Sequence, residues 1–205
     1  MKSVFHLDSQ HDEIDDKIAA TLERLSQAYR VLLWEQNKKY NLSPIQIQLL
    51  VHLLHHSKDQ AKVGSLAREF SLTPATISDA INTLATKSLV RREKNDSDRR
   101  SVTIVPTAQG KRIARQLSTW ADAIRESISG LADKDKPVVM KFLMQLIASL
   151  QRDGLITVAR MCITCKYFKV IAKTKSKSPY YCTLLEKPFV DAELRFDCQE
   201  HEMAI

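Results

Sequence analysis

Four cysteines stand in this chain, and all of them lie beyond Gly154. Cys162 and Cys165 form a Cys-x2-Cys knuckle, while Cys182 and Cys198 follow singly. The tight turn of such a knuckle aims both sulfurs to one side, so that two thiolates reach the same metal. Two more thiolates complete a sulfur set that suits zinc or iron, and an iron–sulfur cluster also takes four cysteines. A common zinc ribbon has two close pairs, whereas this segment has one pair and two singles. The residues therefore predict one metal centre per chain on Cys162, Cys165, Cys182 and Cys198. Zinc is favoured, an iron–sulfur cluster is the alternative, and His201 is a substitute ligand. Tyr181, Asp197 and Glu200 are candidates for supporting contacts. Phe168, Tyr180, Tyr181, Leu184, Leu185, Phe189 and Phe196 give the segment a small apolar set that a metal would staple. The basic run at residues 169–177 reads as a solvated loop.

A second group of residues has the chemistry of base-edge contact. Thr73 precedes Pro74 and can cap a helix beginning there. Ile77, Ile81 and Leu84 recur on one face of that helix, and Thr76, Ser78, Asp79, Asn82 and Thr83 occupy the other. The major groove admits one α-helix, and short polar side chains let it approach the bases closely. Backbone donors from Thr73 to Ala75, at the helix start, suit a phosphate. Residues 89–94 and 101–105 are rich in strand formers and flank the polar stretch 95–100. They predict a two-stranded hairpin with Arg91 and Arg92 on one strand and Asp98, Arg99 and Arg100 at the tip. Arginine at such a tip suits the negative potential of a minor groove. His52 and His56 are four apart, but with no carboxylate partner nearby they read as helix surface or dimer rim rather than a metal site.

Helical periodicity positions both groups. Ile14, Ile18, Leu22, Leu25, Tyr29 and Leu32 predict one long helix over residues 9–39. Ser43 and Pro44 start the next, with Ile45, Leu49 and Leu53 on one face, and Val63, Leu66, Ala67 and Phe70 mark a third. Beyond the hairpin, Ile113, Leu117, Trp120, Ile124, Ile128 and Leu131 predict another helix, and Val139, Phe142, Leu146 and Leu150 a last one. The composition shifts after Gly154. The expected sections are thus 1–154, for DNA binding and dimerisation, and 155–205, a cysteine-rich metal-binding module.

With 205 residues, 44% hydrophobic and 27% charged, the chain reads as an ordinary globular protein. Its formal net charge of +7 suits a polyanionic partner. No membrane span or signal peptide is expected, and the cytoplasm is the expected compartment, where reduced thiols favour metal over disulfides. No Ser/His/Asp, paired-carboxylate or Gly-rich phosphate motif suggests an enzyme, and four thiolates leave a metal no open position for catalysis.

The stretch from Leu42 to Trp120 resembles the multiple-antibiotic-resistance regulator (MarR) family. The resemblance is carried by Leu66-Ala67-Arg68-Glu69-Phe70-Ser71-Leu72-Thr73-Pro74-Ala75-Thr76-Ile77-Ser78, by Asp96-Ser97-Asp98-Arg99-Arg100, and by Thr107-Ala108-Gln109-Gly110. It implies a mainly α fold: a winged helix-turn-helix with a two-stranded β wing, flanked by dimerisation helices. It also implies a homodimeric transcriptional regulator, a repressor of a palindromic double-stranded DNA operator, with a small-molecule effector. Asp98 would brace the wing, Arg100 enter the minor groove and Arg99 touch phosphate. Three residues depart from the family pattern. Ser88 stands for a glycine before the wing, Asp79 for a neutral or basic residue of the reading helix, and Pro106 for a leucine.

Overall fold

The computed structural model describes residues 3–94, 102–171 and 178–204. Contacts divide the chain into two compact units, Met1–Val63 with Ile77–Glu126, and Gly64–Thr76 with Ser127–Ile205. The N-terminal stripe forms two helices rather than one, α1 (Leu7–Asp12) and α2 (Ile14–Tyr40). Glu13 takes an extended backbone between them (φ −105°, ψ 123°) and lets α2 start afresh with Asp15 and Asp16 in its first turn. Those carboxylates sit at the positive end of the helix dipole, and Lys38 and Lys39 at the negative end. Asn41 ends α2 in the left-handed conformation, its N–H donating to the Asn37 carbonyl at 2.7 Å. Helix α3 (Pro44–His55) opens on Ser43, whose N–H donates to Gln46 Oε1 at 3.0 Å. It buries Ile47, Leu49, Leu50 and Leu53. His52 is buried with them, not on the helix surface, and its ring stacks on His56 at 3.8 Å.

Helices α4 (Val63–Glu69) and α5 (Pro74–Thr86) precede the strands β1 (Val90–Lys94) and β2 (Val102–Pro106). The strands pair antiparallel from Val90 opposite Pro106 to Lys94 opposite Val102. The Ile104 N–H donates to the Ala61 carbonyl at 2.8 Å and anchors the hairpin at its base. Helices α6 (Ala108–Leu117) and α7 (Asp122–Ser129) replace the single helix that the apolar series predicts. Ser118 Oγ donates back to the Ala114 carbonyl at 2.8 Å and Thr119 Oγ1 to that of Gln116 at 3.0 Å. Such local bonds compete with helix continuation. The whole is the mainly helical winged-helix fold that the sequence predicts.

Ser88 explains its own departure from glycine. Its φ is 57°, in the left-handed region that a Cβ disfavours by about 1–2 kcal/mol. Glycine would remove that strain and lose roughly half of the gain to its freer unfolded chain. Ser88→Gly is expected to stabilise the first unit by about 0.5–1 kcal/mol, read as a higher urea midpoint at unchanged slope. A lower midpoint would contradict the strain argument.

The second unit is built on α8 (Lys136–Arg152). Met144 and Ala148 of α8 share one core with Ala159, Met161, Tyr180, Phe189 and Leu194. The strands β3 (Phe168–Val170), β4 (Tyr180–Cys182) and β5 (Lys187–Phe189) form an antiparallel sheet in that order. Helix α8, ahead of Gly154, thus supplies part of the core of the cysteine segment. Among the described residues, no helix is long and apolar enough to cross a membrane.

Candidate metal centre and nucleic-acid interface

The cysteines are brought to one place by four local structures. At the knuckle, the Cys165 N–H donates to the Cys162 carbonyl at 3.0 Å, closing the turn. Cys182 ends β4, opposite Phe168 of β3 and Lys187 of β5. Cys198 is held by its N–H on the Arg160 carbonyl at 2.7 Å, just after Asp197, which has a positive φ of 60°. The Cys162 N–H donates to the Arg195 carbonyl at 3.1 Å, and the Arg195 N–H returns a bond to Cys162 Sγ at 3.1 Å.

All four cysteines line one cavity of about 110 Å³, together with Phe168, Leu184 and Phe189. No disulfide joins them. Burial pushes the Cys162 thiol up, and the neighbouring Cys198, Cys165 and Cys182 push it further, against the lowering effect of the Arg195 N–H. A bound cation would reverse that at Cys162 by favouring the thiolate. Among the described residues, no three His, Cys, Asp or Glu side chains are placed to hold one metal ion. His201, the substitute ligand of the sequence reading, has its Nε2 3.0 Å from Thr164 Oγ1. Burial lowers its pKa. Of the supporting candidates, Glu200 lines the cavity and Asp197 Oδ1 accepts from Arg160 Nε at 2.6 Å.

Sequence reasoning assigned nothing to Arg160. Its guanidinium donates through Nη1 and Nη2 to both oxygens of Glu69, at 2.6 and 2.9 Å, and through Nε to Asp197. Only 15% of its side chain is exposed. Burial disfavours its charge, but bonds to the two carboxylates outweigh that and raise its pKa. Glu69 ends α4, two residues before Ser71, whose Oγ accepts from the Thr157 N–H at 3.2 Å. The segment Gly64–Thr76 therefore belongs to the same compact unit as the cysteines. Ion pairs between residues so far apart in sequence leave no periodic trace, so no signal in the sequence could have revealed this link.

The second candidate site follows α5. Thr73 Oγ1 accepts from the Thr76 N–H at 3.1 Å, so the expected cap is present. Ile77, Ala80, Ile81 and Leu84 are buried. Thr73, Ala75, Thr76, Asp79, Asn82 and Thr83 are exposed, and Ser78 is half-buried. Arg92 Nη2 donates to Asn82 Oδ1 at 2.7 Å, tying the first wing strand to the outer face of α5. Arg91 pairs with Glu93 at 2.5 Å. Bonds from Arg91 and then Lys58 hold the Glu93 carboxyl below its ordinary pKa. Asp98, Arg99 and Arg100 lie outside the described residues.

Residues 40–101 match the MarR family model. Solved structures with the same fold include the S. aureus MepR–DNA complex, at 19% identity and a TM-score of 0.58, covering 64% of this chain and 97% of that one. The transcriptional regulator PA3341 is similar at 24% identity and a TM-score of 0.58, covering 66% of this chain and 98% of that one. A MarR transcriptional regulator from Methanosarcina mazei Go1 is similar at 19% identity and a TM-score of 0.54, over 68% of this chain and 97% of its own. Each neighbour is covered almost whole, while about a third of this chain stays outside the likeness. No curated protein matches the chain.

Proposed function

We propose that this protein is a DNA-binding transcriptional regulator, a repressor that acts as a homodimer on a palindromic operator. The carrying observation is the outer face of α5. It is short-chained, polar and exposed, and Arg92 joins it to the base of a basic wing. In this reading Thr76, Ser78, Asp79, Asn82 and Thr83 face base edges in the major groove. The amides from Thr73 to Ala75 meet a phosphate, Arg91, Arg92 and Arg99 contact the backbone, and Arg100 enters the minor groove, with Asp98 bracing the tip. Asp79 accepts from the exocyclic amine of cytosine, which offsets its repulsion by phosphates. The MepR neighbour is described in complex with DNA, which supports the reading.

The homodimer is supported by apolar faces in each unit. Helix α2 leaves Leu25, Val31 and Trp34 exposed, and α8 leaves Val138, Val139 and Phe142 exposed. Faces of that kind on long helices are ordinary only when something covers them.

The test begins with a duplex selected from a random pool by the full-length protein. The selected sequence should be two-fold symmetric, with half-sites about one helical turn apart, and bind two chains. Affinity should fall steeply with salt as phosphate counterions are displaced. Arg100→Ala should cost about 1–3 kcal/mol of binding. Selection of no duplex, or unchanged affinity in Arg100→Ala, would respectively overturn the regulator reading and the wing assignment.

A further inference from the structure

We propose that Cys162, Cys165, Cys182 and Cys198 hold one iron–sulfur cluster, and that Asp197, Arg160 and Glu69 connect its presence to the helix-turn-helix segment. The link deepens the DNA-binding reading and rests on it only where DNA affinity is measured.

The choice of cluster over single ion rests on the arrangement of the thiols. A zinc ion with bonds of about 2.3 Å draws its four sulfurs to within about 3.8 Å of one another. Here all four cysteines border one cavity. That cavity, at about 110 Å³, is several times the roughly 10–15 Å³ that one water requires. A cluster needs this arrangement, because each thiolate binds a separate corner of a body of iron and sulfide. The walls suit it as well. Phe168, Leu184 and Phe189 give it an apolar side, and the Arg195 N–H already donates to Cys162 Sγ, the kind of bond that tunes a cluster.

The connection starts at a ligand. Cys198 is bonded through its N–H to the Arg160 carbonyl, and its neighbour Asp197 holds the Arg160 guanidinium. The other side of that guanidinium grips both oxygens of Glu69 at the end of α4. The turn from Phe70 to Thr73 then leads directly into α5. Release of Cys198 from the cluster loosens the Asp197–Arg160 contact beside it, and with it the hold of Arg160 on Glu69. The chain entering α5 then loses this tie within its compact unit, while Ser71 keeps its bonds to Thr157.

The experiment uses full-length protein purified under argon. Iron, zinc and acid-labile sulfide are assayed, and the visible spectrum is recorded. Iron and sulfide in equal amounts with broad visible absorption are expected, and Cys182→Ser should lose both. Stoichiometric zinc in a colourless protein would overturn the cluster, whether or not Cys182→Ser folds. The cluster is then stripped with an iron chelator, and amide hydrogen exchange is compared between residues 64–76 and 14–40. Exchange should rise in 64–76 alone. On the selected duplex, stripping should change affinity by roughly 5- to 150-fold, the usual range of coupling between sites. Glu69→Gln should keep the cluster and show less than a third of that change on stripping. Unchanged exchange in 64–76 on stripping would overturn the connection. A cluster-loaded protein that shows the exchange response but selects no duplex would overturn the DNA-binding reading and leave this inference standing.

Discussion

Gly110→Ala should destabilise the first unit by about 3 kcal/mol or more. A Cβ built at Gly110 would lie 1.9 Å from the carbonyl oxygen of Leu89, which is backbone and cannot swing aside. The close approach is enforced from both sides. The Thr107 N–H donates to that same carbonyl at 3.0 Å, and Thr107 Oγ1 donates to the Ser88 carbonyl at 2.7 Å while accepting from the Gly110 N–H at 3.0 Å. Alanine gains about 1 kcal/mol of helix propensity over glycine, which the clash exceeds. The expected result is a fall in Tm of roughly 10–20 °C, read by circular dichroism. Gly64→Ala is the control, since nothing lies within 4 Å of its Cβ position, and it should be neutral or mildly stabilising. A Gly110→Ala protein as stable as the Gly64→Ala control would show that α6 can retreat from the wing at no cost.

That close approach shows what a sequence does and does not display. Thr107 to Gly110 stood out as part of a resemblance, but only the structure gives the glycine its reason. Local chemistry was the most legible. The Thr73 cap, the helix start at Ser43 and Pro44, and the two strands of the wing follow from residue type and spacing, and each is present. Helix continuity was less legible, because an apolar stripe carries on across a break that leaves its period intact. Glu13 interrupts the first stripe through backbone conformation alone, and Ser118 with Thr119 interrupts the later one through hydroxyls that bond backwards. Burial of His52 was illegible for a related reason. A helix apolar on nearly all sides offers no polar face to which a histidine can be assigned. For the candidate sites, the cysteines and the polar face of α5 were visible as types at spacings. The Arg160 bridge was not, since it joins Glu69 and Asp197 across long stretches of chain.

The core of the second unit bears on how far a metal is needed to fold it. Composition suggests a tail too poor in apolar residues to stand without a staple. The structure supplies Met144 and Ala148 from α8, and Tyr180 is buried in the same cluster. Its ring lies 5.2 Å from Phe168 and 5.9 Å from Phe189, with Lys141 Nζ 5.6 Å away over its face. Its hydroxyl donates to Asp191 Oδ1 at 2.6 Å, and Lys141 pairs with the same oxygen at 3.4 Å. Hydrogen bonding to Tyr180, and attraction to Asp191, raise the Lys141 pKa against the opposing effect of burial. Tyr180→Ala removes the ring contacts and the charge-assisted bond together, and should cost about 3–5 kcal/mol. Tyr180→Phe keeps the ring and loses only the bond, at about 1.5–3 kcal/mol. If the cysteines hold the proposed cluster, the alanine variant should also lose its iron, because Cys182 ends the same strand, while the phenylalanine variant keeps it. Urea unfolding followed at the second unit, with metal analysis of each variant, separates the two effects. If Tyr180→Ala retains full metal and unfolds at the wild-type midpoint, the thiolates alone organise the segment and the aromatic core is dispensable. If it loses both, the apolar core built on α8 places the cysteines before any metal arrives.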